Sequence, residues 1–523
     1  MTSDLTKVAE ESAKGGVFLI IGSFFATIIS AIASIFVTRL LGQELYGQYV
    51  LSLVTTQMLF LFTDFGISQG LVKFAASLKA KDEAEHVAKI IEYGILIRTI
   101  IGVAIFLANF ALADFFATVF HNRPELGTYI RVASFSILFQ VIYSTVSSAY
   151  VGLDKTEYNA LSSNIQAISK ASITIVLVLL GFGVFGAVAS YVAGYVIASA
   201  IGLGLLLFVL REYNTTSNDD IGFMKSLRTL MHYGIPLYVA TLFIGFISPY
   251  QNLVLGIFTT DAAIGNFKAA ANFITLIAIV SIPITTTLLP AFSKLDDTSS
   301  EKLRTFFLFA NKYVTMLIIP IAMIILAFSD KIVQVIYGPD FPTAGFFLAV
   351  YCLLYFLVGI GHLTLASMFN GLGETRITLK TSLIAFVVLV PLSPVLAYLH
   401  GVVGIIIALL VAHTSGTLYG VYIAKKKYQV KFARKSIIKV YAAAAVSTLP
   451  ALLVLQFSPL HQLVTVILGG LLYLIVYLTL IPLIGTINKT ELQMVTRVAQ
   501  RIKPFAPIFK PLLKYEAWLL KMQ

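Results

Sequence analysis

Thr38-Arg39-Leu40-Leu41-Gly42-Gln43-Glu44-Leu45-Tyr46-Gly47-Gln48-Tyr49 lies between two long apolar runs, and much of what surrounds it returns about 218 residues later. Gly47-Gln48-Tyr49 reappears as Gly265-Asn266-Phe267, again between apolar runs. Asp114-Phe115 before Val119-Phe120 is echoed by Asp330-Lys331 before Val335-Ile336. Gly152-Leu153-Asp154-Lys155-Thr156 is echoed by Gly371-Leu372-Gly373-Glu374-Thr375, and Gly183-Val184-Phe185-Gly186 by Gly401-Val402-Val403-Gly404. Any one match carries little, because glycine recurs throughout membrane proteins. Four in the same order, at offsets of about 216 to 219, define a duplicated unit.

The class follows from composition. The chain is 58% hydrophobic and 12% charged, with a mean hydropathy of +0.90, whereas a soluble domain is roughly half apolar and a quarter charged. Its apolar residues form runs of about 20 or more, enough to cross a hydrocarbon core of roughly 30 Å as helices. The short alternating strands of a membrane barrel are absent from the pattern. A single cysteine, Cys352, excludes a disulfide framework, and its apolar surroundings predict a packed thiol. The first run, about 16–40, is too long for the core of a cleaved signal peptide and reads as a retained helix.

Fourteen spans are expected, at about 16–40, 47–72, 91–118, 129–152, 160–180, 184–210, 233–258, 264–290, 306–328, 342–370, 377–399, 402–424, 437–457 and 462–485. Loop charge tests that reading, since Lys and Arg collect on the cytoplasmic side. With the N-terminus inside, the inner segments hold about 29 of the 37 basic residues, and the outer loops about four: Arg39, Arg123, Arg131 and Lys331. The +12 net charge is thus a topology signal, with both ends cytoplasmic, and not a nucleic-acid signal. The expected fold is an all-α polytopic membrane protein built from two pseudo-symmetric six-helix bundles plus two C-terminal helices.

The lobes fall at 1–215 and 216–430, the extra pair at 431–487 and a cytoplasmic amphipathic tail at 488–523. Six spans per copy predict a pseudo-two-fold axis along the membrane normal. Lys425-Lys426-Lys427 reads as a linker touching anionic headgroups. In the tail, Asn488-Lys489-Thr490-Glu491 looks like a helix start, followed by mixed apolar and basic residues and then Pro504, Pro507 and Pro511. An interfacial helix fits this segment, with a partner-binding tail as the alternative.

No enzyme constellation is visible. The chain lacks a phosphate-binding Gly-x-x-x-x-Gly-Lys-Ser/Thr loop, a His-Glu-x-x-His and a cysteine cluster, so neither cofactor nor metal is called for. Gly181-x-Gly183-x-x-Gly186 matches a dinucleotide pattern but lies between two helices, where a tight turn explains it.

Intramembrane ionisable groups are more informative, because burying a charge there costs on the order of 3 kcal/mol and usually means a cavity or a partner. Lys170, about ten residues into its span with Asn164, Gln166, Ser169 and Ser172 nearby, is the foremost candidate for a cavity cation; a carboxylate partner on a neighbouring helix is the competing role. Asp64, Arg98 and Lys268 sit nearer helix ends, where snorkelling or local pairing competes. Arg39 fits a helix cap. His362 and His413 are titratable additions, suited to packing hydrogen bonds or to ion coupling. The substrate-cavity set is therefore Lys170, Gln166, Asn164 and Arg98, and the ion-coupling set Asp64, His362 and His413. Net positive charge would suit a phosphate or pyrophosphate headgroup, and the amides and hydroxyls a polyol.

The junction Arg39-Leu40-Leu41-Gly42 to Tyr46-Gly47-Gln48-Tyr49 resembles the first loop of the polysaccharide-transport flippases, within the multidrug/oligosaccharidyl-lipid/polysaccharide exporter superfamily. Asp64-Phe65-Gly66-Ile67, Leu289-Pro290-Ala291-Phe292-Ser293, Val335-Ile336-Tyr337-Gly338-Pro339-Asp340-Phe341 and Gly371-Leu372-Gly373-Glu374-Thr375 are similar to that family too. The resemblance covers essentially the whole chain. It implies a two-lobe fold that alternates between inward- and outward-open states and moves a lipid-linked oligosaccharide, on polyprenyl phosphate or pyrophosphate, from the inner to the outer leaflet. It also implies basic residues lining the cavity, where Lys170 is the position that fits. Membrane lipids are then partners, with a glycan polymerase or glycosyltransferases as candidate protein partners. A multidrug/cation exporter of the same superfamily is the nearest alternative, though such exporters have twelve helices and acidic cavities. A major-facilitator carrier lacks support, because no Gly-x-x-x-Asp-Arg-x-Gly loop follows the second span. A non-transporting membrane scaffold for glycan assembly is the alternative from another class.

Overall fold

A computed structural model describes residues 2–81, 83–213, 222–295, 301–458, 460–487 and 515. The described residues form helices without strands. Eleven of these helices are long and apolar enough to cross a membrane, or twelve when the bent pair Ala344–Ile360 and His362–Gly371 counts as one span. Two of the eleven contain a residue outside helical geometry. Gly42 (φ 71°, ψ 175°) interrupts Thr2–Phe60, and Gly401 (φ 55°, ψ −130°) interrupts Thr375–Tyr428. At both glycines the sequence separates two spans. The C-terminal tail, apart from Tyr515, lies outside the described residues; the Tyr515 hydroxyl is 2.8 Å from Thr479 Oγ1.

The chain divides into two compact units, residues 1–272 with 390–405, and residues 273–389 with 406–523. In the first, Ile67, Leu71, Ile91, Val146, Tyr150 and Leu206 form a buried core. In the second, the helices Arg434–Phe457 and Gln462–Leu483 pack on Glu301–Tyr337 through Ile319, Phe328, Tyr473 and Tyr477. The Tyr477 hydroxyl donates to the Met316 carbonyl at 2.9 Å. With no hydrophobic driving force between helices in lipid, close packing and such bonds carry the association.

The duplicated Gly-Leu turn is bonded alike in both copies. Lys155 N–H donates to Tyr150 O and Glu374 N–H to Phe369 O, each at 2.8 Å, closing the same helix end. Asp154 (φ 57°) and Gly373 (φ 76°) hold the left-handed position. Gly152 packs against Leu71 and Val72, and Gly371 against Leu289 and Phe292. The junction glycines meet each other's turns: a side chain at Gly47 would collide with the Asp261 carbonyl, and one at Gly265 with the Gln43 carbonyl. Arg123 closes the same place by pairing with the Asp261 carboxylate and donating to the carbonyls of Gly256 and Thr259, each at 2.7 Å. Neighbouring His121 is buried, and burial, then Arg123, pushes its imidazole down to about 4.

Two spans that read as continuous are broken. Within 47–72 the helix narrows to a 3₁₀ turn at Leu61–Thr63 and restarts at Ile67–Lys79. Gly66 (φ 82°) permits the restart, and a Cβ there would collide with the Gly234 backbone. Within 342–370, the 3₁₀ segment Leu353–Ile360 ends at Gly361 (φ 95°), with a 50° bend. A break at membrane depth is tolerated when other groups take up the freed backbone. Asn311 Nδ2 donates to Gly359 O at 3.0 Å. The Tyr441 hydroxyl accepts from Gly359 N–H at 3.3 Å and donates to the Phe356 carbonyl.

Candidate functional site

A cleft of about 310 Å³ opens inside the first unit. Its walls come from the long first helix, Thr156–Leu179, Gly183–Leu210, Phe223–Phe258 and the start of Asp261–Ser293. Lys170 and Lys268 both line it, together with Tyr49, Gln57, Tyr191 and Asn252. Small residues make room: a Cβ at Gly194 would lie 2.9 Å from Lys170 Cβ, so the glycine lets the neighbouring helix close on the lysine stem. Lys170 Nζ sits 5.4 Å from the Tyr191 ring centroid, and Lys268 Nζ 5.6 Å from that of Phe267. At such distances the ring quadrupole attracts the ammonium without neutralising its charge.

No carboxylate lines the cleft among the described residues. Among the described residues neither lysine has an ion-pair partner. Ser30, Ser34 and Thr174 line it with Gln57 and Asn252, and Asn252 Oδ1 is buried without a hydrogen bond. Two cations amid neutral donors and acceptors can bind an anion through the charges and hydroxylated groups through the rest.

The other sequence candidates lie elsewhere. Arg98 is buried against the first helix break. Its Nε is 3.6 Å from Asp64 Oδ1, and its terminal nitrogens donate to Ser68 Oγ at 2.8 Å and Thr63 Oγ1 at 3.4 Å. Asp64 also accepts from Ser68 N–H at 3.0 Å, which caps the restarted helix. The pair is thus a closed, self-neutralised cluster. Asn164 donates to the Gly22 and Ala160 carbonyls, at 3.1 and 2.7 Å, and holds two helices together. Gln166, one turn before Lys170, is not among the cleft's lining residues.

His362 and His413 meet in the second unit, rings 5.3 Å apart and edge to face. His362 Nδ1 lies 2.9 Å from Thr417 Oγ1. The sequence placed Lys268 near a helix end and left Gln57, Tyr191 and Asn252 unremarked. The signal available for Lys268 was its place in the copy of the opening junction, next to Phe267.

A polytopic helical membrane protein with a cationic, hydroxyl-rich cleft is of the transporter kind. The family model described as "Polysaccharide biosynthesis protein" matches residues 12–296, and the chain belongs to that family. A second model, "Lipid II flippase MurJ", matches residues 255–477. The chain is 21% identical over 64% of its length to the probable low-salt glycan biosynthesis flippase Agl15 of Haloferax volcanii, covering 77% of that protein. Its fold is similar to that of the lipid II flippase MurJ in an inward closed conformation (TM-score 0.72, 16% identity, 88% of this chain and 98% of that one). It is also similar to an inward-facing multidrug resistance MATE transporter of the MOP superfamily (TM-score 0.60, 18% identity, 80% and 96%).

Proposed function

We propose that this protein is a flippase for a lipid-linked oligosaccharide, moving the polyprenyl phosphate or pyrophosphate headgroup and its glycan from the inner to the outer leaflet for surface polysaccharide or glycan assembly. The observation that carries this reading is the cleft lined by Lys170 and Lys268 and, among the described residues, by no carboxylate. A diphosphate is met by the two ammonium groups, and the sugar by the hydroxyls and amides beside them. The family and the glycan flippase among its relatives support the same substrate class. The work is transport and not catalysis, through alternating access of lobes 1–215 and 216–430 across fourteen spans. The protein resides in the plasma membrane with both termini cytoplasmic. His362 and His413 are the candidates for coupling to an ion, whereas Asp64 is committed to Arg98.

The likeness to a MATE transporter favours export of organic cations as the second reading. Two unpaired lysines repel such a substrate, which sets it behind the first. One experiment separates them. In a deletion strain, lipid-linked oligosaccharides accumulate with cytoplasmic headgroups, and the wild-type gene reverses this. Normal sidedness with altered sensitivity to cationic dyes would instead establish the exporter, and normal behaviour on both counts a scaffold.

A further inference from the structure

The second unit carries a different cleft, of about 560 Å³, that the transport reading does not use. One wall is the broken span, through Phe356, Gly359 and Ile360; the others are Leu418 and Val421, and Ile437, Ile438 and Tyr441. Its mouth is open: Leu418 is 55% and Ile438 67% exposed. At one end stand Lys425 and Arg434, flanking the bend between Thr375–Tyr428 and Arg434–Phe457. Lys425 Nζ lies 5.8 Å from the Phe432 ring centroid. Neither cation has a carboxylate partner among the described residues, and Glu374 is taken by Lys427.

A flat apolar face needs no specific partner in lipid, since hydrocarbon tails are as apolar as leucine. A concave apolar trough that ends in two unpaired cations is different. Its shape fits one flexible chain, and its charges fit a phosphate at that chain's head; basic pockets between membrane helices select anionic headgroups for this reason. We propose that this trough binds an anionic phospholipid of the surrounding bilayer, with one acyl chain along Leu418, Val421 and Ile438 and its phosphate on Lys425 and Arg434. The bound chain lies against Tyr441, whose hydroxyl ties Gly359 to Phe356 across the break. The lipid therefore braces the bent span. This proposal stands independently of what the first unit's cleft carries.

The chain has a single tryptophan, which permits a site-specific test. The full-length protein with Trp518→Phe and Ile438→Trp is reconstituted in phosphatidylcholine vesicles containing brominated phosphatidylglycerol or brominated phosphatidylcholine, and tryptophan quenching is titrated. Half-quenching should need roughly tenfold less of the anionic lipid, the preference expected for two interfacial cations partly screened by water. Adding Lys425→Gln and Arg434→Gln should bring the ratio to about one, while Lys425→Arg with Arg434→Lys should keep it. Leu453→Trp, exposed on the same helix outside the trough, should show no preference. Should Ile438→Trp fail to insert, Leu418→Trp on the facing wall reports the same site. Equal half-points for the two lipids, a preference that survives the two glutamines, or a trough tryptophan that no lipid quenches because the chain's own tail fills it, would each overturn the proposal.

Discussion

The two broken spans are repaired by different chemistry. At Leu61–Gly66 the helix that restarts is capped by a carboxylate, Asp64, whose charge is balanced by buried Arg98. At Leu353–Gly361 the freed groups are met by neutral side chains, Asn311 and Tyr441. An ionic repair binds more strongly, but losing either partner strands the other charge in a low-dielectric setting; a neutral repair risks only hydrogen bonds. Asp64→Asn should therefore have the largest effect, lowering stability by about 3–5 kcal/mol, read as an early fall in monodisperse protein on heating in detergent. Adding Arg98→Gln should recover most of that loss, because no charge is then left unpaired. Tyr441→Phe should cost less, about 1–3 kcal/mol, by orphaning the Gly359 N–H and the Phe356 carbonyl. If Tyr441→Phe proved as damaging as Asp64→Asn, the distinction between ionic and neutral repair would collapse.

Both breaks were hard to read from sequence for the same reason. Hydropathy registers how apolar a run is, and neither Leu61-Phe62-Thr63 nor Leu353 to Ile360 interrupts an apolar run. What marks the breaks is backbone: Gly66 and Gly361 at positive φ, beside a polar residue that can cap (Asp64) or a titratable one (His362). The class of fold was legible because apolar length and loop charge are additive along the chain. The duplicated turns were legible because a left-handed helix end restricts its residues, as Asp154 and Gly373 illustrate. Partnership was not. Depth in the span set Lys170 apart from Arg98, which lies nearer a helix end where local pairing competes, but it named no partner for either. Only folding brings Asp64 and Ser68 to Arg98, and leaves Lys170 facing a cleft with Lys268, about 98 residues away.

That contrast between a neutralised and a free cation supplies the smallest stability effect and the sharpest test. Among the described residues Lys170 has no ion-pair partner whose charge its loss would strand, so Lys170→Ala should alter stability by less than about 0.5 kcal/mol, or raise it slightly by relieving the cost of a buried charge. Its effect should fall on transport. A charge-assisted hydrogen bond to a phosphate contributes about 1.5–3 kcal/mol, so outward movement of lipid-linked oligosaccharide at matched protein level should drop roughly 10- to 100-fold. Lys268→Ala should lose transport in the same direction, and Lys170→Arg should retain part of it, because the positive charge remains. Transport is measured as the fraction of headgroups accessible outside sealed cells, and stability on the same preparations. A Lys170→Ala protein that melts as early as Asp64→Asn would make this lysine a structural group. One that is stable and transports normally would remove it from the substrate path.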